Sequence, residues 1–384
     1  MRDEAGALPP KKLQTQVKHL IVGRYVGAWA GIIVRATTRP VRLALLDAFA
    51  GPGAYEAGEG EARQPGSPLL ALDALDSLAA LHPQRSLEVQ ALFIESDPRH
   101  CGSLERHLRA RPAGTTTWRV QCGEFADLAD DVLRFTADRF GLILIDPFGP
   151  KGAPLQAVRA VIDQPRNDVI VNLPYYSLHK WGRASDDGVE AARLFGHIRA
   201  ATDFFGTAKW RDVAQDSKTP NECERGLVEL YKSQIQRPGI GVVSVPLLMP
   251  QASQTIYHLV FASGNVAGLL RMKEIMQEAR EYEEALRYEA RERRELARSR
   301  MPRLLDVPPD TDVVPDVDIE MLAEQIHSGF RGKGGVEHQD VYRFGVAMEG
   351  VLRSHMDRAL TRLKSSGRAT FSRRGFHDRI DFAE

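Results

Sequence analysis

The first part of the chain carries apolar side chains at helical spacing. An apolar residue at every third or fourth position predicts a helix over residues 11–36, and Pro40 marks its end. The most apolar stretch, residues 20–34, contains Arg24 and is shorter than a membrane span, so we expect no membrane helix here. We therefore take residues 1–40 as an N-terminal helical segment. The apolar positions are Leu13, Val17, Leu20, Ile21, Tyr25, Trp29 and Ile32.

Short, continuously apolar runs then alternate with helical stretches, which is typical of a parallel sheet with helices on both faces. Two later runs, 241–249 and 255–263, are separated only by residues 250–254, too few for a parallel crossover, so we expect an antiparallel hairpin. Pro246 favours an edge position for the first of them. The prediction over residues 41–268 is an α/β fold with parallel strands plus a terminal antiparallel hairpin. The earlier runs are 41–47, 89–94, 117–122, 141–145 and 168–173.

A charged segment follows the predicted sheet. Residues 269–300 contain no Gly or Pro and are rich in Glu and Arg, which predicts a solvated helix with ion pairs along its surface. A basic helix that follows a nucleic-acid strand is the alternative, although the acidic residues argue against it. Residues 302–315 read as a proline-rich linker, so residues 269–317 form a charged helix and a linker.

Residues 318–384 are predicted to form three helices and a short β-hairpin, a winged-helix-like module. The last helix is expected over residues 347–365. From residue 341 onward the chain has nine basic and five acidic residues, a local net charge of +4. Such a surface can contact phosphates. A module for protein contacts or dimerisation is the open alternative.

Composition limits the class of protein. The 384 residues carry 51 basic and 51 acidic side chains, which excludes a globally basic nucleic-acid-binding protein. With 43% hydrophobic and 27% charged residues the chain is globular, and its length suggests two domains or more. Residues 1–16 lack the apolar region of a signal peptide, so we expect a cytoplasmic protein. Cys101, Cys122 and Cys223 lie far apart in sequence, so we expect no disulfide framework, no metal site and no Fe–S cluster.

The strongest chemical signal is a glycine turn after the first predicted strand. Asp47, Phe49, Gly51 and Gly53 stand at alternate positions there, and glycine lets a ligand approach the backbone closely. The pattern resembles the turn of methyltransferases that bind S-adenosylmethionine, where the acid holds the ammonium group and the glycines leave room for the chain. A purely structural turn is the alternative. Nearby, residues Gly66, Ser67 and Pro68 are expected to form a helix N-cap with Pro in the first helical turn.

Acidic residues end the next two predicted strands. Glu95 can accept hydrogen bonds from two ribose hydroxyls, as in dinucleotide folds. Glu124 can accept a hydrogen bond from an adenine amino group, and Phe125 can wall the ring. A surface acid at Glu95 and an acidic helix N-terminus at Glu124 are the simpler alternatives.

Two further turns supply candidate catalytic residues. Asp146 and Phe148 lie where amino-methyltransferases carry an Asp/Asn-Pro-Pro-Tyr/Phe turn, although the aromatic residue here comes one position early. Asp146 would accept a hydrogen bond from the methyl acceptor and Phe148 would stack on a base. Asn172 and Tyr175 resemble the Asn-Leu-Pro-Tyr of adenine dimethyltransferases but follow the fifth strand instead of the fourth, so they are second-choice candidates.

Together these motifs resemble the three-Cys-motif partner protein (TcmP) family of methyltransferase-like proteins. The resemblance also rests on Lys18, Tyr25 and Trp29 in the leading helix, on residues 66–69 and 257–263, and on the closing module. It implies a Rossmann-like class I methyltransferase fold, S-adenosyl-L-methionine as cofactor, and a partner with a three-cysteine motif of radical-SAM or Fe–S type. The expected activity is methyl transfer, with a nucleic acid as acceptor. A small-molecule methyltransferase and a non-catalytic nucleic-acid-binding subunit are the alternatives.

Overall fold

The computed structural model describes residues 13–55, 64–184, 191–248, 254–299 and 316–384. The chain divides into two compact units after Gly264. The predicted linker at 302–315 lies outside the described residues, as does most of the loop between the predicted hairpin strands. The expected domain boundaries after residues 40, 268 and 317 stay predictions.

The helix expected at the N-terminus is α1, Leu13–Ala36. Its inward side buries Tyr25 and Trp29, which are at most 3% exposed. By length and composition this whole helix could cross a membrane, although residues 20–34 alone are shorter than a span. Yet 61% of its most apolar window is buried inside the structure, and the core helix of a folded domain meets the same criterion.

The first unit is built on a seven-stranded sheet with the strand order β5-β4-β1-β6-β7-β9-β8. The first five strands in that order are parallel, whereas β9 runs antiparallel to both β7 and β8. This strand order confirms the predicted mixed α/β sheet and matches Rossmann-like methyltransferase folds. Pro246 lies on β8, which is an edge strand, as predicted. The strands are β1 Val41–Asp47, β4 Leu87–Glu95, β5 Thr117–Cys122, β6 Phe140–Ile145, β7 Asn167–Leu173, β8 Gly241–Leu248 and β9 Thr255–Ser263, with a small ribbon of β2 Ala54–Tyr55 and β3 Gln64–Pro65.

Helices cover both faces of this sheet. Because strand side chains alternate between faces, Leu46 and Ile145 enter the core with α4, α5 and α9, while the neighbouring positions face α1 and α2. The α1 face therefore receives Asp47 of β1 and Asn172 of β7, and this places polar groups under α1 at one end of the sheet. The helices are α2 Ser67–Leu81, α3 Pro98–Arg109, α4 Ala129–Thr136, α5 Leu155–Ile162, α6 Tyr175–Gly182, α7 Ala191–Phe205, α8 Lys209–Asp216 and α9 Pro220–Ile235.

A buried polar network ties α1 to the sheet. The hydroxyl of Tyr25 donates to Asp168 at 2.7 Å, and the hydroxyl of Ser263 donates to the other carboxylate oxygen at 2.6 Å. Burial raises the pKa of Asp168 to about 6, although both hydrogen bonds act in the opposite direction. A network of this kind fixes the position of α1 because each of its buried polar groups needs its partner.

We expect Asp168 to make the protein less stable as the pH rises from about 4 to about 6. Over this range the folded chain keeps a proton that the unfolded chain, with a carboxyl pKa near 3.8, has lost, so the free energy of unfolding falls with pH. The loss is complete above about pH 6 and amounts to about 3 kcal/mol. Asp168→Asn should remove this part of the pH dependence, which urea unfolding of both proteins would measure. Equal pH slopes in the two proteins would contradict the assignment.

One expectation about the cysteines is wrong. Cys101 on α3 and Cys122 at the end of β5 form a disulfide, and Cys223 is buried as a free thiol. The sequence did not predict this pair, because the two cysteines become neighbours only when α3 packs against β5 and brings its first turn to the end of that strand.

The second unit begins with α10, Val266–Ser299, in which Arg271 pairs with Glu274 and Glu278 as the charge pattern predicts. Three shorter helices and a three-stranded sheet of order β10-β12-β11 complete it. The last helix begins at Arg353 and not at residue 347, because the chain turns at Gly350 (φ +71°) and His355 accepts a hydrogen bond from the backbone N–H of Leu352. The elements are α11 Ile319–Phe330, β10 Val336–Glu337, α12 His338–Val346, α13 Arg353–Ser365, β11 Ala369–Thr370 and β12 Arg379–Phe382.

Candidate functional site

A pocket opens at the carboxyl ends of the parallel strands. The strand order reverses between β1 and β6, and open α/β sheets bind ligands at such a point. The pocket has a volume of about 210 Å³. Four predicted cofactor residues and one predicted catalytic residue line it: Phe49, Glu95, Glu124, Phe125 and Phe148. The remaining lining residues, which the sequence did not single out, are Ala48, Ser96, Gly123, Gly149, Lys151 and Gly152.

The glycine turn after β1 is held against Glu95. The backbone N–H of Gly51 donates to Glu95 Oε2 at 2.8 Å. Gly51 has φ +65°, and an added Cβ would meet nothing within 4 Å, so open space lies beside this residue. Gly53 differs, since an added Cβ there would lie 2.9 Å from Leu104 Cδ1. The two glycines thus serve different purposes: the first leaves space open, and the second allows α3 to pack closely.

Asp47 lies beneath this turn and does not line the pocket. It is 2% exposed, and its two carboxylate oxygens accept hydrogen bonds from the Phe49 backbone N–H at 3.1 Å and from the Ser67 hydroxyl at 2.7 Å. Burial raises its pKa to about 6, with a smaller contribution from the negative charge of Asp146. The N-cap of α2 is Gly66 and Pro68 lies in its first turn, which confirms the predicted cap. Ser67 anchors Asp47, and the contact of Asp47 with a ligand ammonium group stays a prediction.

Glu95 occupies the centre of the pocket wall. Its side chain accepts hydrogen bonds from the backbone N–H groups of Gly51 and Asp97, each at 2.8 Å, and its backbone carbonyl accepts from Gly123 N–H at 2.9 Å. These bonds fix one carboxylate in one orientation at the end of β4. A preorganised acceptor suits a ligand that presents hydroxyl groups.

Glu124 and Phe125 form the side of the pocket that follows β5. Phe125 is 1% exposed and lies with its ring centroid 6.3 Å from that of Phe49, which makes an apolar wall. Glu124 is exposed and lies 3.6 Å from the ammonium of Lys151. An apolar wall with a carboxylate at its edge has the chemistry needed to hold a purine ring.

A second polar cluster lies at the ends of β6 and β7. Lys18 Nζ on α1 lies 2.8 Å from Asp146 Oδ1 and 2.6 Å from Asp146 Oδ2, and Asn172 Nδ2 donates to Oδ1 at 2.7 Å. Asp146 and Asn172, predicted from separate motifs, are therefore direct neighbours. Lys18 entered the sequence analysis only through the family resemblance, and no local motif indicated its contact with Asp146.

Two tyrosines border this cluster. The ammonium of Lys18 lies 5.2 Å from the ring centroid of Tyr257 on β9. Burial raises the pKa of Tyr257, and the charge of Asp146 adds to this. Burial also raises the pKa of Tyr55 to about 12, with contributions from Asp146 and Asp47. Both phenols therefore stay protonated at neutral pH.

The structure separates the other two predicted catalytic residues from this cluster. Phe148 is 88% exposed at the mouth of the pocket, where its ring is free to contact an incoming molecule. Tyr175 is 3% exposed, and its hydroxyl donates to the backbone carbonyl of Pro220 at 3.1 Å. It packs against His258 and anchors the start of α6, so nothing in its described contacts joins it to Asp146.

Neither a family model nor a curated protein sequence matches the chain. Among solved structures it is similar to Trm1 from Pyrococcus horikoshii in complex with S-adenosyl-L-methionine, with 12% identity and a TM-score of 0.37 over 98% of this chain and 94% of that chain. Protein LPL1258 from Legionella pneumophila has 12% identity and a TM-score of 0.36 over 66% and 86% of the two chains. A putative O-methyltransferase from Klebsiella pneumoniae has 13% identity and a TM-score of 0.29 over 66% and 90%. Since these TM-scores lie below 0.5, the fold assignment rests on the strand order of this chain.

Proposed function

We propose that the chain is a class I methyltransferase that uses S-adenosyl-L-methionine. The observation that carries the proposal is the arrangement at the strand ends: the open glycine turn at Gly51 and the fixed carboxylate of Glu95 meet where the sheet order reverses. Ligands of open α/β sheets bind at this position. The Asp146 cluster lies at the end of β6, the next strand of the sheet.

The residues present fit this cofactor. Glu95 would hold the ribose hydroxyls, Phe125 and Glu124 the adenine, and the open space at Gly51 the methionine chain. Asp47 would attract the ammonium group through the turn that it supports. Because its pKa is about 6, this attraction would weaken below that pH.

The cofactor supplies a methyl group on a positively charged sulfur, and the carbon–sulfur electron pair stays with sulfur when the group leaves. The acceptor's N–H or O–H would donate to Asp146, which would take up the proton as the new bond to carbon forms. Phe148 would hold a planar acceptor at the mouth of the pocket. Catalysis would thus come from alignment and from one preorganised carboxylate.

Two glycine variants test the cofactor site. We expect Gly51→Ala and Gly239→Ala to cost similar stability, about 1 kcal/mol, because both residues have positive φ and open space at the Cβ position. Only Gly51→Ala should weaken binding of S-adenosylmethionine, by about tenfold or more, because its methyl group fills the proposed ligand space. Calorimetric titration of the wild type and both variants gives the three affinities. A wild type that does not bind, or equal affinities in all three proteins, would refute the proposal.

The acceptor is proposed to be a nucleic acid. The three short helices and the terminal hairpin of the second unit support a winged-helix-like interpretation, and the unit carries exposed arginines. Phe148, exposed at the mouth of the pocket, suits stacking on a base. A small-molecule acceptor and a non-catalytic nucleic-acid-binding subunit remain the alternatives.

Charge removal on the second unit tests the nucleic-acid proposal. Arg358 on α13 and Arg373 in the wing are exposed. The full-length double variant Arg358→Gln/Arg373→Gln should bind duplex DNA more weakly, and its log–log salt slope should fall by about 2. Arg237→Gln, which breaks an ion pair with Asp163 in the first unit, is the matched control. An unchanged slope, or no binding by the wild type, would favour the small-molecule alternative.

The partner belongs to the proposal through the family resemblance. A protein with a three-cysteine motif would bring the cysteines for an Fe–S cluster, since Cys101 and Cys122 are paired here and Cys223 is buried. Co-purification of such a protein with this chain, followed by iron analysis, would test the association.

A further inference from the structure

The inference concerns Lys18 and rests on the proposed function. Lys18 reaches the end of β6 from α1, 128 positions earlier in the chain, and contacts both oxygens of Asp146. A carboxylate has about four lone-pair sites. Lys18 occupies one on each oxygen and Asn172 a second one on Oδ1. Within the described residues, one site on Oδ2 thus has no donor.

The two partners differ in exposure. The side chain of Lys18 is 14% exposed, whereas that of Asp146 is 40% exposed. The ammonium is therefore held inside, against the face of Tyr257, and the free side of the carboxylate is turned toward solvent. If the only role of this ion pair were to attach α1 to the sheet, the carboxylate of Asp146 would not need to be open to solvent.

The surrounding charges are negative. The charge of Asp146 contributes to the raised pKa of Asp47 and of two tyrosines. Without the ammonium, Asp146 would lose a contact on each of its oxygens and its nearest positive charge. The titratable groups that face the pair are Asp47, Tyr55 and Tyr257, with His19 packed against Tyr55.

We propose that Lys18 is the positioning residue of the acceptor site: it holds Asp146 in one orientation and supplies its counter-charge, so that the free site on Oδ2 accepts the N–H or O–H of the methyl acceptor. The acceptor is then a neutral hydrogen-bond donor, such as an amino, amide or hydroxyl group. A carboxylate or phosphate oxygen is disfavoured as acceptor, because it has no proton to donate and would meet the negative charge of Asp146.

The test compares Lys18→Met with Lys18→Arg in the full-length protein. Carboxyl 13C NMR, with the Asp146 signal identified through Asp146→Asn, reports on the surroundings of this group without any assay of activity. Lys18→Met should displace the Asp146 carboxyl signal, because the ammonium leaves both of its oxygens, and Lys18→Arg should leave it nearly unchanged. Lys232→Met, which breaks the exposed pair with Glu229 on α9, is the matched control and should change nothing.

Kinetics separate positioning from a structural role. Lys18→Met should lower kcat by about 10- to 100-fold, because Asp146 loses its fixed orientation, and should leave the affinity for S-adenosylmethionine within about threefold. Lys18→Arg should retain most of kcat. An unchanged Asp146 carboxyl signal in Lys18→Met would overturn the inference, as would an unchanged kcat. A wild type that does not bind the cofactor would refute the proposed function instead, while the NMR comparison would still decide the role of Lys18.

Discussion

Replacement of Asp146 by asparagine is expected to lower kcat for methyl transfer by about 100- to 10,000-fold. The amide has nearly the shape of the carboxylate and can still accept from Asn172 at 2.7 Å, but it cannot take up the proton of the acceptor. Binding of S-adenosylmethionine should change little, because Asp146 does not line the cofactor pocket. Single-turnover methyl transfer and calorimetry measure the two effects separately.

Asp168→Asn is the control for this substitution. Asp168 lies on the same face of the sheet as Asp146 and is also hydrogen-bonded, but its partners are Tyr25 and Ser263 in the core. It should change the pH dependence of stability and leave methyl transfer intact. A folded Asp146→Asn protein with wild-type kcat would show that another group handles the proton.

Glu95→Ala is expected to weaken binding of S-adenosylmethionine by about 100-fold or more. Hydrogen bonds to a charged group contribute about 1.5–3 kcal/mol each, and Glu95 is placed to accept two from the ribose. The Glu95 carboxylate also accepts hydrogen bonds from the backbone N–H groups of Gly51 and Asp97, so removal of the carboxylate should loosen the glycine turn as well. Calorimetric titration, with a thermal melt of each protein, gives both affinity and stability.

Glu95→Gln separates the two contributions. The amide keeps one acceptor oxygen and the size of the side chain, so its stability should lie nearer the wild type while its affinity stays low. Glu105→Ala on the surface of α3, where Glu105 pairs only with Arg109 in the described structure, should leave both unchanged. If Glu95→Ala bound S-adenosylmethionine with wild-type affinity, a residue other than Glu95 would have to hold the ribose.

The local pattern of apolar residues was enough to predict most of the sheet. The apolar runs predicted five parallel strands and the antiparallel pair, and the observed strands differ from them by at most two residues at either end. Strands buried on both faces must be apolar throughout, and this leaves a signal in a single sequence. The final helix was placed six residues early, because the turn at Gly350 lies inside a stretch with helical composition.

In the candidate site, too, some features could be predicted from the sequence and others could not. Glu95 and Asp146 could be predicted because each directly follows a recognisable strand, and the carboxyl ends of parallel strands share one edge of the sheet. The helix cap at residues 66–68 could be predicted, but the hydrogen bond of Ser67 to Asp47 could not, because it depends on Asp47 lying opposite Ser67. Tyr175 follows its strand as well, but its hydroxyl turns to Pro220.

The sequence by itself thus determined the α/β sheet, the glycine turn and the acids at the strand ends, because these follow from periodicity and from neighbours in the chain. Only the tertiary structure decided which groups meet. The contact of Lys18 with Asp146 joins residues 128 positions apart, and the disulfide joins residues that lie on different elements. Such contacts depend on how α1 and α3 pack against the sheet. This packing produces no periodic pattern of residues in a single sequence, so the sequence alone cannot predict it.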